Sequence, residues 1–324
     1  MTRPSRIAVV GSANVDLTTF SDRFPKAGET IFGEHFDLGW GGKGANQAVA
    51  ARLCGADVSM VARVGDDLFG PATITNFARQ GIDASQVRIV PGASSGVAPI
   101  FVESNGQNRI IVVKGANDRL LPADVDEAAQ VLETADCIVL QFEIPLETVY
   151  HTVRFARARG IRCIVNPAPG QPVDVASLSG VDYFIPNETE AETITGMPVK
   201  SVDDAAACAR YLVSQGLTRV IITLGDKGAL VASAAGAELV APYQVATKDT
   251  TGAGDAFVGS FAVFLGEGVA ERDAIARANL YAALSTTGVG TQKSFVTRQR
   301  FDDEWQNRAA TAAAADAHGG GLQP

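Results

Sequence analysis

Short apolar runs rich in β-branched residues alternate, almost from end to end of the chain, with stretches whose apolar positions recur at helical spacing. Residues 7–10, 58–64, 137–140, 161–165, 183–185 and 220–224 are predicted strands. Most of them are apolar throughout rather than at every second position, as strands covered on both faces must be. Residues 45–54, 74–80, 146–159 and 202–215 are predicted helices. The alternation predicts an α/β fold, a mostly parallel central sheet with helices on both faces.

Two stretches break the rhythm. Residues 28–41 and 96–113 carry alternating apolar positions, Ile31, Phe36 and Leu38 in the first and Val97, Ile100, Val102 and Ile110 in the second, without intervening helices. They predict a small antiparallel sheet inserted into the α/β body. A half-exposed sheet with an apolar face has to cover something, either a substrate or a second copy of the chain; an ordinary edge hairpin is the plainer alternative. After Trp305 the chain turns into runs of Ala and Gly, which predicts a frayed helix end and a disordered tail over 309–324.

The 324 residues admit one large α/β domain or two ordinary ones, and 46% hydrophobic content excludes general disorder. A net charge of −9 argues against a nucleic-acid partner, and any polyanionic substrate has to be held by local donors. Cys54, Cys137, Cys163 and Cys208 lie far apart with no C-x-x-C pair, which fits core thiols of a cytoplasmic protein. No run reaches the roughly 18 apolar residues of a membrane span, and the apolar run 7–10 is too short for a leader core, so neither membrane nor export is expected. His35, His151 and His318 have no ligand-spaced mates.

The chemically richest stretch is Asp249-Thr-Thr-Gly-Ala-Gly-Asp255, which runs straight into an apolar helix rich in Gly and Ala. Gly252 and Gly254 can take backbone angles closed to other residues, so successive N–H groups, including that of Ala253, can converge on one point. The first helical turn adds its unpaired N–H groups and the positive end of the dipole. Asp255 would repel a resting phosphate there, yet it can take a proton from a hydroxyl attacking a phosphoryl group held by those amides. Helix capping in a tight loop is the plain alternative. The dipole and amides also predict that Asp255 stays ionised near neutrality.

Gly39-Trp-Gly-Gly-Lys-Gly44 matches the G-x-G-x-x-G spacing of dinucleotide sites, but no acidic residue stands about 20 positions on, so a dinucleotide-dependent oxidoreductase is disfavoured. Gly41 and Gly42 fit better as bare backbone against which a small polar ligand lies. Asn14 and Asp16 follow the first strand, and Asn46 lies one helical turn from Gly42; all three can converge on one pocket and grip the hydroxyls of a sugar, or else simply shape a turn. Asn187 and Glu190 read as a helix cap or as holders of hydrated Mg²⁺. Thr223 and Gly225, at the end of another strand, offer a hydroxyl and a bare backbone to a nucleotide.

Taken in order, Gly11-Ser-Ala-Asn-Val-Asp16, Pro25-Lys-Ala-Gly-Glu-Thr30, Gly41-Gly-Lys-Gly-Ala-Asn-Gln47, Gly115-Ala-Asn117, Asn166-Pro-Ala-Pro169, Pro186-Asn-Glu-Thr-Glu190 and Asp249-Thr-Thr-Gly-Ala-Gly-Asp255 resemble the ribokinase family of carbohydrate kinases, the phosphofructokinase-B type, from about residue 5 to residue 300. The resemblance implies a ribokinase-like kinase domain over 1–308 with lid strands inserted at about 28–41 and 96–113. It implies ATP-dependent phosphorylation of a sugar hydroxymethyl group, foremost D-ribose to D-ribose 5-phosphate, with deoxyribose, fructose or a nucleoside as alternatives. Asp255 would be the base and the amides of residues 252–255 the anion hole. Asn14, Asp16, Gly42, Lys43, Asn46 and Glu143 would surround the sugar. Asn187 and Glu190 would order Mg²⁺ and phosphate, and Thr223, Gly225, Gly254 and Asn279 would lie along the nucleotide. An activating monovalent cation, K⁺, would sit near Asp249, Thr251, Ser285, Gly288, Gly290 and Ser294, and the lid would form a homodimer contact. Two residues depart from the family pattern: Lys293 stands where Pro is commoner, and Trp40 beside the diglycine is expected to narrow the sugar pocket.

Overall fold

The computed structural model describes residues 3–319, with side chains through residue 308. In chain order the strands are β1 (Arg6–Val10), β2 (Asn14–Ser21), β3 (His35–Gly41), β4 (Asp57–Gly65), β5 (Asp83–Val90), β6 (Gly96–Glu103), β7 (Asn108–Ile110), β8 (Cys137–Leu140), β9 (Arg162–Val165), β10 (Tyr183–Phe184), β11 (Arg219–Thr223), β12 (Ala229–Ser233) and β13 (Gly236–Val240). The α-helices are α1 (Lys43–Leu53), α2 (Phe69–Arg79), α3 (Pro122–Glu127), α4 (Ala129–Leu132), α5 (Leu146–Arg159), α6 (Glu188–Thr195), α7 (Val202–Ser214), α8 (Ala253–Gly266), α9 (Glu271–Ser285) and α10 (Arg298–Gly319).

Nine strands form the main sheet in the order β13-β12-β11-β10-β9-β8-β1-β4-β5. From β11 to β5 neighbours are parallel, while β12 and β13 add an antiparallel edge. Successive residues of one strand feed opposite layers: Ile7 and Val9 of β1 join one core with α1, α8 and α9, whereas Ala8 and Val10 join the other with α5 and α7. Continuous apolarity of the strands is therefore the signature of two cores, one on each face. All six strands and all four helices predicted from the pattern are present, within one or two residues at their ends except for α2, which starts five residues before the predicted 74.

The second sheet has four strands in the order β3-β2-β6-β7. It differs from the predicted antiparallel insertion in that β2, which continues from β1 after a three-residue gap, forms its centre and pairs antiparallel with β3 but parallel with β6, so the sheet is mixed. Residues 28–34 are outside any strand. The alternation along β2, too polar to announce a strand, arises because only one of its faces is apolar. At the other end, α10 runs through residues 309–319, where the tail is predicted to be disordered. Alanine has the highest intrinsic helix propensity, and the Ala run there continues the helix. The remainder of that tail, 320–324, lies outside the described residues.

Candidate active site

The site begins with a close approach of two helices. A Cβ placed on Gly259 of α8 would stand 2.5 Å from the Gln47 carbonyl oxygen, so only glycine lets α8 lie this near α1. That contact brings Asp255, in the first turn of α8, against the first turn of α1. Asn46 Nδ2 donates to Asp255 Oδ2 at 2.9 Å and Gln47 Nε2 donates to Asp255 Oδ1 at 2.9 Å. Ahead of α8, Gly252 has φ 80°, which turns the chain so that the amides of the first turn open on the same space.

Asp255 is buried, at 6% exposure. Burial raises its pKa, against Lys43 and the amides of Asn46 and Gln47, which favour the charged form. The direction is opposite to that predicted from the helix dipole, because desolvation between α1 and α8 outweighs the local donors. The outcome is a stronger base than a free carboxylate.

Lys43 stands at the start of α1 amid three carboxylates. Its burial, which by itself disfavours the ammonium, is outweighed by Asp255, Glu143 and Glu190, and its pKa is raised. The Glu143 carboxylate accepts from Ser12 Oγ at 2.6 Å and from the Lys43 backbone N–H at 3.0 Å, which fixes it at the head of α1. Asp16 is pushed up to about 6, first by burial and then by Glu143 and Asp255. Asn14 and Asp16 do not sit in a turn after the first strand; both belong to β2, where they are two residues apart and share a face. Asn117 Nδ2 donates to Asn14 Oδ1 at 2.7 Å and holds the amide in place.

The glycines beside them are required by the packing of the protein itself. A Cβ on Gly41 would meet the Asp16 carboxylate at 2.3 Å, and one on Gly42, at φ 88°, would meet the Asn14 backbone nitrogen at 2.7 Å. Trp40 pairs with Val15 and lies on the face opposite Asn14 and Asp16. It therefore does not narrow the space they line. It shares that outer face with Phe36 and Leu38, which are 59% and 40% exposed.

Two cavities meet at Gly254. The smaller, about 140 Å³, is lined by Lys43, Asn166, Glu190, Gly252 and Asp255 among others. The larger, about 580 Å³, is lined by Gly225, Tyr243, Phe257 and Asn279 among others. Asn187, Thr223 and Gly254 line both. Asn279 donates to the carbonyls of Val240 and Ala241 at 3.2 and 3.0 Å, tying α9 to the chain that leaves β13. Asn187 and Glu190 form a reciprocal cap at the start of α6: Glu190 N–H donates to Asn187 Oδ1 at 2.8 Å and Asn187 N–H donates to Glu190 Oε2 at 2.9 Å. Capping and a place in the smaller cavity are thus held by the same pair. Burial raises the Glu190 pKa, opposed by the Asn187 N–H and by Lys43.

The residues assigned to a monovalent cation lie on loops and at the end of α9, joined by hydrogen bonds, Asp249 N–H also donating to the Thr286 carbonyl at 3.2 Å. Asp249 Oδ1 accepts from the N–H and Oγ of Thr251 at 2.9 and 2.6 Å, and its Oδ2 accepts from Gly290 N–H at 2.9 Å, joining the two loops. A Cβ on Gly288 would meet the Ser294 Cβ at 2.9 Å, so these two also abut. The Ser285 hydroxyl donates to the Ala282 carbonyl within α9 and the Ser294 hydroxyl to the Thr291 carbonyl. Among the described residues no three His, Cys, Asp or Glu side chains group as metal ligands, and no helix is long and apolar enough to cross a membrane. Lys293 donates to Asp37 of β3 at 2.8 Å, so the departure from Pro ties the later loop to the small sheet.

Several residues that take part carry no role in the sequence reading: Ser12, Gln47, Asn117, Gln141, Asn166 and Gln292. Gln47 had a readable signal, since positions 43, 46 and 47 share one helical face. The others come from distant segments.

Comparison with known proteins bears on the whole chain. The profile described as pfkB family carbohydrate kinase matches residues 4–298. Over 298 residues the chain is 46% identical to the deoxyribokinase of Salmonella typhimurium, covering 92% of this chain and 97% of that protein. It is 38% identical over 299 residues to the ribokinase of Bacillus subtilis, covering 92% and 98%. Among solved structures, Arabidopsis thaliana ribokinase complexed with ribose and ATP superposes with a TM-score of 0.87 at 30% identity, covering 93% of this chain and 98% of that one.

Proposed function

The chain belongs to the pfkB family of carbohydrate kinases, and from that premise we propose that it transfers the γ-phosphoryl group of ATP to the hydroxymethyl oxygen of a pentose. D-ribose, giving D-ribose 5-phosphate, is the foremost substrate. A second reading, 2-deoxyribose, is favoured by the 46% identity to a deoxyribokinase. The observation that carries the proposal is the position of Asp255, a buried carboxylate in the small cavity, one residue from the Gly254 amide at which the large cavity opens.

The sugar lies among Asn14, Asp16, Gly42, Lys43, Asn46 and Glu143, and ATP lies along the large cavity past Thr223, Gly225 and Asn279 with its phosphates toward Gly254. Asp255 accepts the proton of the attacking hydroxyl while the amides of residues 252–255 take up charge on the phosphoryl oxygens. With a loose transition state the proton leaves late, so positioning and charge stabilisation carry most of the acceleration. Lys43 offsets charge beside Asp255. Glu190, a buried carboxylate with one oxygen in the cap, fits a role in holding hydrated Mg²⁺ with Asn187, and Mg²⁺ when bound neutralises phosphate charge. Asp249, whose acidity is strengthened by Thr251 and Gly290 against the effect of burial, fits an anchor for K⁺ beside the anion hole. The outer face of the small sheet, with Phe36 and Leu38 exposed, fits burial against a second copy of the chain.

ADP release coupled to a reporter, measured over ribose, deoxyribose, fructose and nucleosides in K⁺ and in Na⁺, tests the reading. Turnover with a pentose, faster in K⁺, is expected. Turnover confined to nucleosides or fructose overturns the pentose assignment.

A further inference from the structure

Behind Asp255 runs a chain of buried primary amides that the phosphoryl-transfer machinery described above does not use. Gln47 and Gln141 are both 0% exposed and Asn166 is 7% exposed. Asn166 Nδ2 donates to the Ile185 carbonyl at 2.7 Å, so its oxygen faces the other way and accepts from Gln47 Nε2 at 3.0 Å. The same Nε2 donates to Asp255 Oδ1 at 2.9 Å. Gln141 Nε2 donates to Gln47 Oε1 at 2.7 Å. Each bond fixes the sense of the next, because an amide turned by half a rotation would set oxygen against oxygen. The far end of the chain is Gln141 Oε1, buried and without a hydrogen-bond partner in the protein. A buried acceptor left open is unfavourable and is rarely retained without a reason. Here the reason lies in direction: Gln141 can present its NH₂ group to Gln47 only by turning its oxygen to the other side, where a Cβ on Gly11 would stand 2.0 Å from it.

We infer that Gln47 is a positioning residue for the phosphoryl transfer, held in one orientation by Gln141 and Asn166 so that it presents only N–H to Asp255 Oδ1 and aims the carboxylate at the attacking hydroxyl. Three main-sheet strands supply the frame: Gln141 follows β8, Asn166 follows β9, and Ile185 follows β10. Asn46, on the other oxygen, is itself oriented by Gln292 Nε2, which donates to Asn46 Oδ1 at 3.0 Å. The carboxylate is thereby gripped at both oxygens by amides whose own rotation is blocked. The charged groups facing Asp255 are Lys43 on α1, Asp16 on β2, Glu143 after β8 and Glu190 on α6.

The inference rests on the kinase reading, and steady-state kinetics separates the two. If the unaltered protein shows no ATP-dependent sugar turnover, the kinase reading fails and this role falls with it. With turnover established, Gln47→Leu is expected to lower kcat by roughly 10- to 100-fold while KM for sugar and ATP change less than about threefold. The acid limb of its kcat profile should move to higher pH, because a donor to the charged carboxylate has gone. Gln141→Leu, which leaves Gln47 in contact but free to rotate, should reproduce part of the loss. The double variant should be no slower than Gln47→Leu alone, since both act through one bond. Unchanged kcat and pH profile in Gln47→Leu, or multiplied losses in the double variant, overturns the assignment. If Gln47→Leu fails to fold, Gln141→Leu alone decides: an unshifted acid limb refutes the role.

Discussion

Replacing Asp16 by Asn should make the protein more stable and the enzyme worse. Asp16 is raised from 3.8 to about 6 by burial and by the charges of Glu143 and Asp255. A carboxylate with a raised folded-state pKa contributes most to stability below its unfolded value, and that contribution is lost as pH rises through the folded one. Above about pH 6 the ionised Asp16 is thus a standing strain on the fold. A rise of about two units corresponds to roughly 3 kcal/mol, and because Asp16 is half-buried solvent screening makes this an upper bound. Asparagine keeps the shape and cannot ionise. In urea denaturation at pH 8, Asp16→Asn should exceed the unaltered protein by about 1–3 kcal/mol, and the difference should shrink below pH 6 and vanish near pH 4. The other carboxylates titrate in both proteins, so the difference reports position 16 together with its coupling to Glu143 and Asp255. In the sugar assay the same variant should lose at least about tenfold in kcat/KM, since a charged acceptor for hydroxyls is gone. Equal stability of the two proteins at pH 8, with the same pH dependence, would refute the claim that the site holds an ionised carboxylate under strain.

Asp255→Asn should lose at least about a thousandfold in kcat while sugar still binds, as isothermal titration can show; near-normal turnover would remove the base. Gly259→Val should destabilise the fold by about 1–3 kcal/mol in thermal or urea melts and slow turnover besides, because α8 must back away from the Gln47 carbonyl and carry Asp255 with it. Lys293→Ala breaks an ion pair that is exposed on both sides, so melts should shift by less than about 1 kcal/mol; if Asp37 couples the lid to the later loop, KM for sugar rises while kcat holds. Activity should fall on the acid side as Asp16, whose pKa is about 6, takes up its proton, and a kcat/KM profile for sugar flat from pH 5 to pH 8 would contradict that.

The hydrophobic pattern alone determined the α/β class, because strands covered on both faces have to be apolar in runs rather than at every second position, as 7–10 of β1, β8 and 220–222 of β11 are. The glycine-lined entry to α8 was legible for a similar reason: local backbone geometry at Gly252 follows from the residue type, and the head of a helix offers amides wherever it falls. What the sequence could not supply was any quantity set by neighbours distant along the chain. The polar alternation of Asn14 and Asp16 resembled a turn, since nothing local says that β3 and β6 will flank them. Trp40 seemed to face the sugar until its register with Val15 placed it outward. The helix dipole argued for an easily ionised Asp255, and only the approach of α1 across Gly259 showed desolvation to be the larger effect. Gln141 had no signal and Asn166 only its place in the Asn166-Pro-Ala-Pro169 match, with no role attached, since both are single amides after apolar strands that the parallel order of β8, β9 and β10 brings side by side. Local stereochemistry is written in neighbouring residues, but electrostatics and orientation depend on which distant groups exclude water from one another, and only the folded chain decides that.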